Sequence, residues 1–224
     1  MILIDLSQIM VASTMMSMGK DQSQVDISMV RHMVLNSLRM YRTKYHAEYG
    51  ELVLCCDGRH SWRRDHFPQY KASRKTNRDA DSRDWTQIFE CLDTIKSELR
   101  EFFPYKYLEI DESEADDIIG VLARIATEKV MIISGDKDFI QLQVRDNVDQ
   151  YSPITKKIVY DANPAKYLRE HILRGDSSDG VPNFLSADNC IVDKIRQTPI
   201  SKKKVELWVD QEPEDFCNEE QLRN

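Results

Sequence analysis

Short apolar runs recur along the chain, and each of the clearest three ends on a carboxylate. Ile2-Leu3-Ile4 runs into Asp5, Leu52-Val53-Leu54-Cys55-Cys56 into Asp57, and Val130-Met131-Ile132-Ile133 into Ser134-Gly135-Asp136-Lys137-Asp138. Runs of this length predict buried strands, and the helical patterns between them predict crossover connections in a mostly parallel sheet. Val30, Met33, Val34, Leu38 and Tyr41 recur at three- and four-residue spacing and predict a helix over Met29–Tyr45. Trp85, Ile88, Phe89, Leu92, Ile95, Leu99 and Phe102 make the strongest helical stripe, which Pro104 ends. Tyr105–Ile110 predicts a short strand. Ser113 reads as the N-cap of a helix whose apolar face is Ile118, Ile119, Val121, Leu122 and Ile125. A hairpin over Tyr151–Tyr160, turning at Pro153–Lys157, and a short helix over Pro164–Leu173 follow. Residues 58–83 show no clean period and predict an irregular connection, longer than structure alone requires. Beyond Pro182 the pattern weakens. The fold class expected is α/β, with a central mostly parallel sheet flanked by helices.

Composition sharpens this picture in one place. With 224 residues, 41% of them hydrophobic and 31% charged, the chain can build an ordinary core as one large domain, with or without a small appendage. No apolar stretch is long enough to span a bilayer, and the start lacks a basic region followed by an apolar signal core, so a cytoplasmic protein without a membrane partner is expected. Cys55, Cys56, Cys91, Cys190 and Cys217 form no zinc-like spacing and read as reduced thiols. The net charge of −7 argues against nucleic acid only on average, because binding depends on local potential. Between Arg59 and Arg83 there are eight Lys or Arg against three Asp, interleaved with Trp62, Phe67 and Tyr70. A purely solvating loop has no use for those aromatics; phosphates and unpaired bases do.

Each acid has an ordinary explanation by itself. Glu114, Asp116 and Asp117 lie in a helical first turn, where the macrodipole favours negative charge. Asp136 and Asp138, like Asp176 and Asp179 near Gly175 and Gly180, are common turn residues. Asp5 and Asp57 are harder to dismiss, since each directly follows a buried strand. In a parallel sheet Asp5, Asp57, Asp136 and Asp138 emerge at one edge, and the helix carrying Glu114, Asp116 and Asp117 opens from the same edge. Each close carboxylate pair there costs about 1 to 4 kcal/mol, depending on screening. Mg²⁺, with Mn²⁺ able to substitute, removes that cost, since such hard cations take carboxylate oxygens. More acids than one ion can use point to two ions, the arrangement that activates water and stabilises the leaving oxygen in phosphodiester hydrolysis.

Taken in order, Leu3-Ile4-Asp5, Cys55-Cys56-Asp57, Tyr70-Lys71-x-x-Arg74, Glu114-Ala115-Asp116-Asp117, Ser134-Gly135-Asp136-Lys137-Asp138-Phe139 and Gly175-Asp176-x-x-Asp179 resemble the structure-specific 5′-nuclease (flap endonuclease) superfamily, and within it the T-even-phage ribonuclease H type. The resemblance covers about residues 2 to 182 and implies a PIN-like 5′-nuclease fold. By it, Asp5, Asp57, Glu114, Asp116 and Asp117 would serve a first metal region, and Asp136, Asp138, Asp176 and Asp179 a second. Lys71 and Arg74 would steer the scissile phosphate as the catalytic cations. Arg63, Arg64 and Lys75 would bind nucleic acid with them, and Tyr70 would stack. Residues 58–83 would form a basic arch. The implied activity is 5′→3′ exonuclease and flap cleavage of DNA or RNA–DNA hybrids near 5′ ends, in primer and flap removal. The implied setting is host cytoplasm for a phage-encoded monomer, with a single-stranded-DNA-binding protein or sliding clamp as candidate partners.

Two departures qualify the resemblance. After Val181-Pro182 a Gly-rich helix-hairpin-helix is expected, and Asn183-Phe184-Leu185-Ser186-Ala187-Asp188-Asn189 stands there instead. The chain also stops early, so residues 1–182 are expected to form the catalytic domain and 183–224 a partial or abbreviated duplex-binding region. A PIN-type ribonuclease shares the acid cluster but gives no reason for the basic segment or the late Asp176/Asp179 pair. A haloacid-dehalogenase-type phosphatase expects D-x-D after the first strand, where Asp5-Leu6-Ser7 stands. A non-catalytic flap- or junction-binding protein expects lost acids, and none of the matched acids is lost.

Overall fold

The computed structural model describes residues 1–19 and 24–212. Two compact units are distinguished: Met1–Ser61 with Ser82–Tyr160, and Trp62–Asp81 with the described residues from Asp161 onward. The strands are β1 (Ile2–Asp5), β2 (Leu52–Cys56), β3 (Lys106–Glu109), β4 (Val130–Ile133), β5 (Val148–Ser152) and β6 (Lys157–Val159). The helices are α1 (Leu6–Met18), α2 (Ile27–Tyr49), α3 (Arg63–His66), α4 (Ala72–Asp79), α5 (Trp85–Phe102), α6 (Ala115–Ile125), α7 (Pro164–Arg174) and α8 (Lys202–Trp208), with a 3₁₀ helix over Lys137–Val144.

All six strands belong to the first unit and form one sheet in the order β3-β2-β1-β4-β5-β6. The first five are parallel, and β6 pairs antiparallel with β5 as a hairpin. Leu3 of β1 stands opposite both Val53 and Ile132, so the central strands are in step and their carboxyl ends level. Successive side chains of these strands enter opposite layers. Ile2, Ile4 and Leu54 pack with Val34, Leu38, Ile88 and Ile95 on one face. Leu3, Val53 and Ile132 pack with Ile118, Ile119 and Phe139 on the other. Burial on both faces is why these strands read as unbroken apolar runs. Burying each such side chain stabilises the fold by about 1.5 to 3 kcal/mol.

One helix carries no sequence signal, and two expectations need correcting. Helix α1 carries no clear stripe, because Ser13 and Thr14 are buried within it. The Thr14 hydroxyl satisfies itself by donating to the Met10 carbonyl at 2.9 Å, so a polar residue sits in the core at little cost. The N-cap of α6 is Glu114 rather than Ser113. The Ser113 carbonyl instead accepts from Gly58 N–H at 2.8 Å, which holds Ser113 in the preceding loop. Residues 58–83 are not irregular throughout: α3 and α4 lie within them, and neither helix buries a residue, so neither leaves an apolar signature.

In the second unit Leu173, Val205 and Val209 form a small core with Phe184 and Trp208. Gly175 and Gly180, at φ +67° and +80°, bracket the turn that carries Asp176 and Asp179. A Cβ at Gly180 would stand 2.7 Å from the Gln69 carbonyl oxygen, so only glycine permits this approach. Lys202 to Lys204 open α8, with Lys202 paired to Glu206 at 3.7 Å. Cys55, Cys56, Cys91 and Cys190 are buried free thiols, while Cys217 and the acidic end lie outside the described residues. No described helix is long and apolar enough to cross a membrane.

A Cβ at Gly58 would collide with the Ile110 carbonyl oxygen and press on that of Ser113. We expect Gly58→Ala to displace the loop leading into α6 and to destabilise the protein by about 1 to 3 kcal/mol, read as a lowered thermal midpoint. An unchanged midpoint would show that this loop is not held as described.

Candidate active site

The level strand ends put three carboxylates within reach of one another's fields. Asp5 ends β1 and N-caps α1, accepting from Gln8 N–H at 3.1 Å. Its second oxygen accepts from the buried Ser134 hydroxyl at 3.0 Å, just past the end of β4. Asp57 follows β2 and accepts from Ala115 N–H at 2.8 Å, at the start of α6. Asp136 accepts from Asp138 N–H at 2.9 Å, and its own N–H donates to the Ser134 hydroxyl at 3.1 Å. Ser134 therefore joins the β1 and β4 acids through one hydroxyl.

Asp5 registers the crowding. Burial pushes its carboxyl up to about 6, against hydrogen bonds from Gln8 and Ser134, and the charges of Asp57 and Asp136 push the same way. Glu114, Asp116 and Asp117 lie at the entrance and first turn of α6, half-buried. Asp117 accepts from Glu114 N–H at 2.9 Å, so it serves at least to cap the helix. The donor set gathered around Asp5 is all carboxylate oxygen, with His and Cys absent from the hydrogen-bond network just described. That is the chemistry of a hard divalent cation.

In the second unit, Asp179 gathers cations. Its carboxylate takes Arg74 Nη2 at 2.7 Å and lies 3.7 Å from Lys71 Nζ. The Asp179 carbonyl also accepts from Lys71 N–H at 2.7 Å, and Lys71 adopts a left-handed φ of 54°. That conformation costs about 1 to 2 kcal/mol for a residue with a Cβ, so the surroundings impose it. Asp176 accepts from the Ser178 hydroxyl and N–H at 2.6 and 2.7 Å. Burial raises its pKa, but those bonds, the Asp179 N–H and the nearby His171 together outweigh it and hold the carboxyl below its usual range.

The predicted cations divide by exposure. Arg64, Arg74 and Lys75 are exposed on α3 and α4, while Arg63 and Lys71 are half-buried. Tyr70 is only 7% exposed, with Lys71 Nζ 4.7 Å and Arg63 Cζ 5.9 Å from its ring centre. Trp62 is 43% exposed, with Arg63 4.9 Å from its ring. Trp62 thus offers more open aromatic surface than Tyr70, a difference that periodicity could not reveal because α3 buries nothing. The Ser134 hydroxyl was also missed as a bridge, since only the register of β1 against β4 brings it to Asp5.

A family model described as the 5′-3′ exonuclease N-terminal, resolvase-like domain matches residues 1–170. The ribonuclease H of Enterobacteria phage T4 is 37% identical over 187 residues, which are 80% of this chain and 61% of that protein. The chain thus spans less than two thirds of that relative's length. DNA polymerase I of Bacillus subtilis strain 168 is 31% identical over 145 residues, 58% of this chain and 16% of the polymerase. Among solved structures, the T5 5′-exonuclease with divalent metal ions (zinc) bound superposes with a TM-score of 0.69 at 16% identity, covering 92% of this chain and 82% of that one. That likeness speaks to the fold, a PIN-like α/β arrangement about a mostly parallel sheet. On the family match, the chain belongs to the 5′-3′ exonuclease N-terminal, resolvase-like domain family.

Proposed function

We propose that this chain is a divalent-metal-dependent 5′-nuclease, hydrolysing phosphodiesters of DNA or RNA–DNA hybrids near 5′ ends as exonuclease and flap endonuclease. The observation that carries this is the buried Asp5, held among Asp57 and Asp136 at the strand ends with its carboxyl raised to about 6. The family match and the names of the relatives, a ribonuclease H and a 5′-3′ exonuclease of Buchnera aphidicola among them, support the reaction class. The name of one neighbour, a T5 flap endonuclease in complex with DNA and metal ions, supports the substrate. Removal of RNA primers and flaps during replication is the role that fits.

In this reading Asp5, Asp57, Glu114, Asp116 and Asp117 hold one Mg²⁺, and Asp136 and Asp138 belong to the site of a second. Asp176 and Asp179 are assigned to the second on sequence resemblance. The bound cations supply Lewis acidity and lower the pKa of water. The chain's own residues do the rest. Ser134 keeps Asp5 and Asp136 in register through its hydroxyl. Asp179 orients Lys71 and Arg74, which keeps two cations ready for a phosphate whose negative charge grows in the transition state. Arg63, Arg64 and Lys75 add attraction for the backbone of the substrate strand.

Three outcomes test this. With Mg²⁺ and a 5′-flap substrate, the protein should cleave, and Asp136→Asn should cut at least about a hundredfold more slowly while still binding. Flap binding without cleavage by the unmodified protein would indicate a non-catalytic binder, and preference for single-stranded RNA a PIN-type ribonuclease. Lys71→Ala should reduce cleavage far more than duplex binding, as gel-shift and single-turnover assays can show. Equal losses would place Lys71 away from the reacting phosphate.

The third concerns pH. A carboxyl whose pKa rises from 3.8 to about 6 on folding stabilises the folded state below pH about 4, and that stability is lost as pH climbs through 6. The loss is about 3 kcal/mol in metal-free protein. Asp5→Asn should therefore be more stable than wild type at pH 8 in chelator, with the gain shrinking toward pH 4 in urea titrations. Mg²⁺ should stabilise wild type at pH 8 and the variant much less. A less stable variant together with indifference to Mg²⁺ would contradict the site.

A further inference from the structure

The turn Ser134-Gly135-Asp136 is gripped from both sides by the side chains of two glutamines, Gln150 and Gln8. Gln150 lies on β5, opposite Ile132 of β4, and is fully buried. Its side-chain amide donates to the Ser134 carbonyl at 3.0 Å and to the Asp136 carbonyl at 2.5 Å. From the other side, Gln8, in the first turn of α1, accepts from Gly135 N–H at 2.6 Å through its side-chain oxygen. The remaining groups of the turn are nearly all engaged. Ser134 N–H donates to the Tyr151 carbonyl at 3.1 Å, and Asp136 N–H to the Ser134 hydroxyl.

We propose that Gln150, together with Gln8, is a positioning residue that holds Asp136 at the metal centre against repulsion from Asp5 and Asp57. The inference rests on the carboxylates being a metal centre. A carboxylate placed beside two others would swing outward in the absence of metal, and the site would then have to be reassembled on each binding event. Two backbone carbonyls of one turn converge on a single buried point, and an amide NH₂ has the two donors needed to meet both. A hydroxyl has one, and a carboxylate has none. Gln8 supplies the complementary acceptor to the intervening N–H. The turn is thus fixed through its backbone, and the Asp136 carboxylate, which accepts from Asp138 N–H through one oxygen, needs no other anchor to face the ion. Outer groups of this kind set metal affinity without touching the metal.

The test reads metal binding rather than cleavage. Mn²⁺ is titrated into the intact protein and free ion followed by electron paramagnetic resonance, for wild type, Gln150→Glu and Gln8→Leu, with urea midpoints measured alongside. Gln150→Glu preserves shape but offers the two carbonyls at most one donor, the O–H of its protonated carboxyl. We expect Mn²⁺ affinity to fall about tenfold or more in each folded variant. Should Gln150→Glu not fold, Gln8→Leu decides, with Gly135 amide exchange expected to accelerate at least about tenfold as the bond opens. Mn²⁺ binding equal to wild type in a folded variant overturns the proposal. Wild type that binds no Mn²⁺ overturns the metal centre itself and this inference with it, a failure visible before any variant is compared.

Discussion

Like charge brought together at the level ends of parallel strands is the constraint from which the rest of the site follows. Register puts Leu3 between Val53 and Ile132, so the carboxyl ends of β1, β2 and β4 must emerge side by side. Each end carries an aspartate: Asp5 closes β1, Asp57 directly follows β2, and Asp136 comes after Ser134 and Gly135 past β4. The core gains from burying Ile2, Leu3 and Ile4, and Asp5 is carried inward with them, to 8% exposure. Its raised pKa is the cost of that position in the absence of a cation.

The chain meets this cost locally with oriented donors. Gln8 N–H and the Ser134 hydroxyl face Asp5, Ala115 N–H faces Asp57, and Asp138 N–H faces Asp136. Three of these donors open helices, Gln8 and Ala115 in α1 and α6 and Asp138 in the 3₁₀ helix, where the backbone dipole adds favourable field. These bonds offset part of the repulsion but bring no full positive charge, so an affinity for hard cations is left over. The second unit solves the opposite problem. There one acid, Asp179, restrains two cations, Lys71 and Arg74, and a left-handed backbone at Lys71 fixes the approach.

What was legible in the sequence follows from which forces leave a periodic trace. Strands buried on both faces read as apolar runs, and α5 matched its predicted span because Ile88, Leu92, Ile95 and Leu99 face a single layer, although Phe89 and Phe102 of the stripe are exposed. Helix α1 was hidden by Ser13 and Thr14, polar residues whose burial is made tolerable by bonds within the helix, as Thr14 shows. Helices α3 and α4 bury nothing and so had no pattern to show. The acids Asp5, Asp57 and Asp136 were readable because each follows an apolar run. Ser134 and Gln150 were not, since a buried polar group is specified by partners distant in sequence and only the register of β4 against its neighbours brings them together.

The central claim is that Asp5, Asp57 and Asp136 form a cation site because the sheet crowds them. Anomalous diffraction from crystals soaked in Mn²⁺ addresses it directly, since the ion's own scattering locates it. An anomalous peak is expected in direct contact with carboxylate oxygens of this cluster, weakened or lost in Asp136→Asn crystals. Crystals saturated with Mn²⁺ that show no peak among these carboxylates would contradict it.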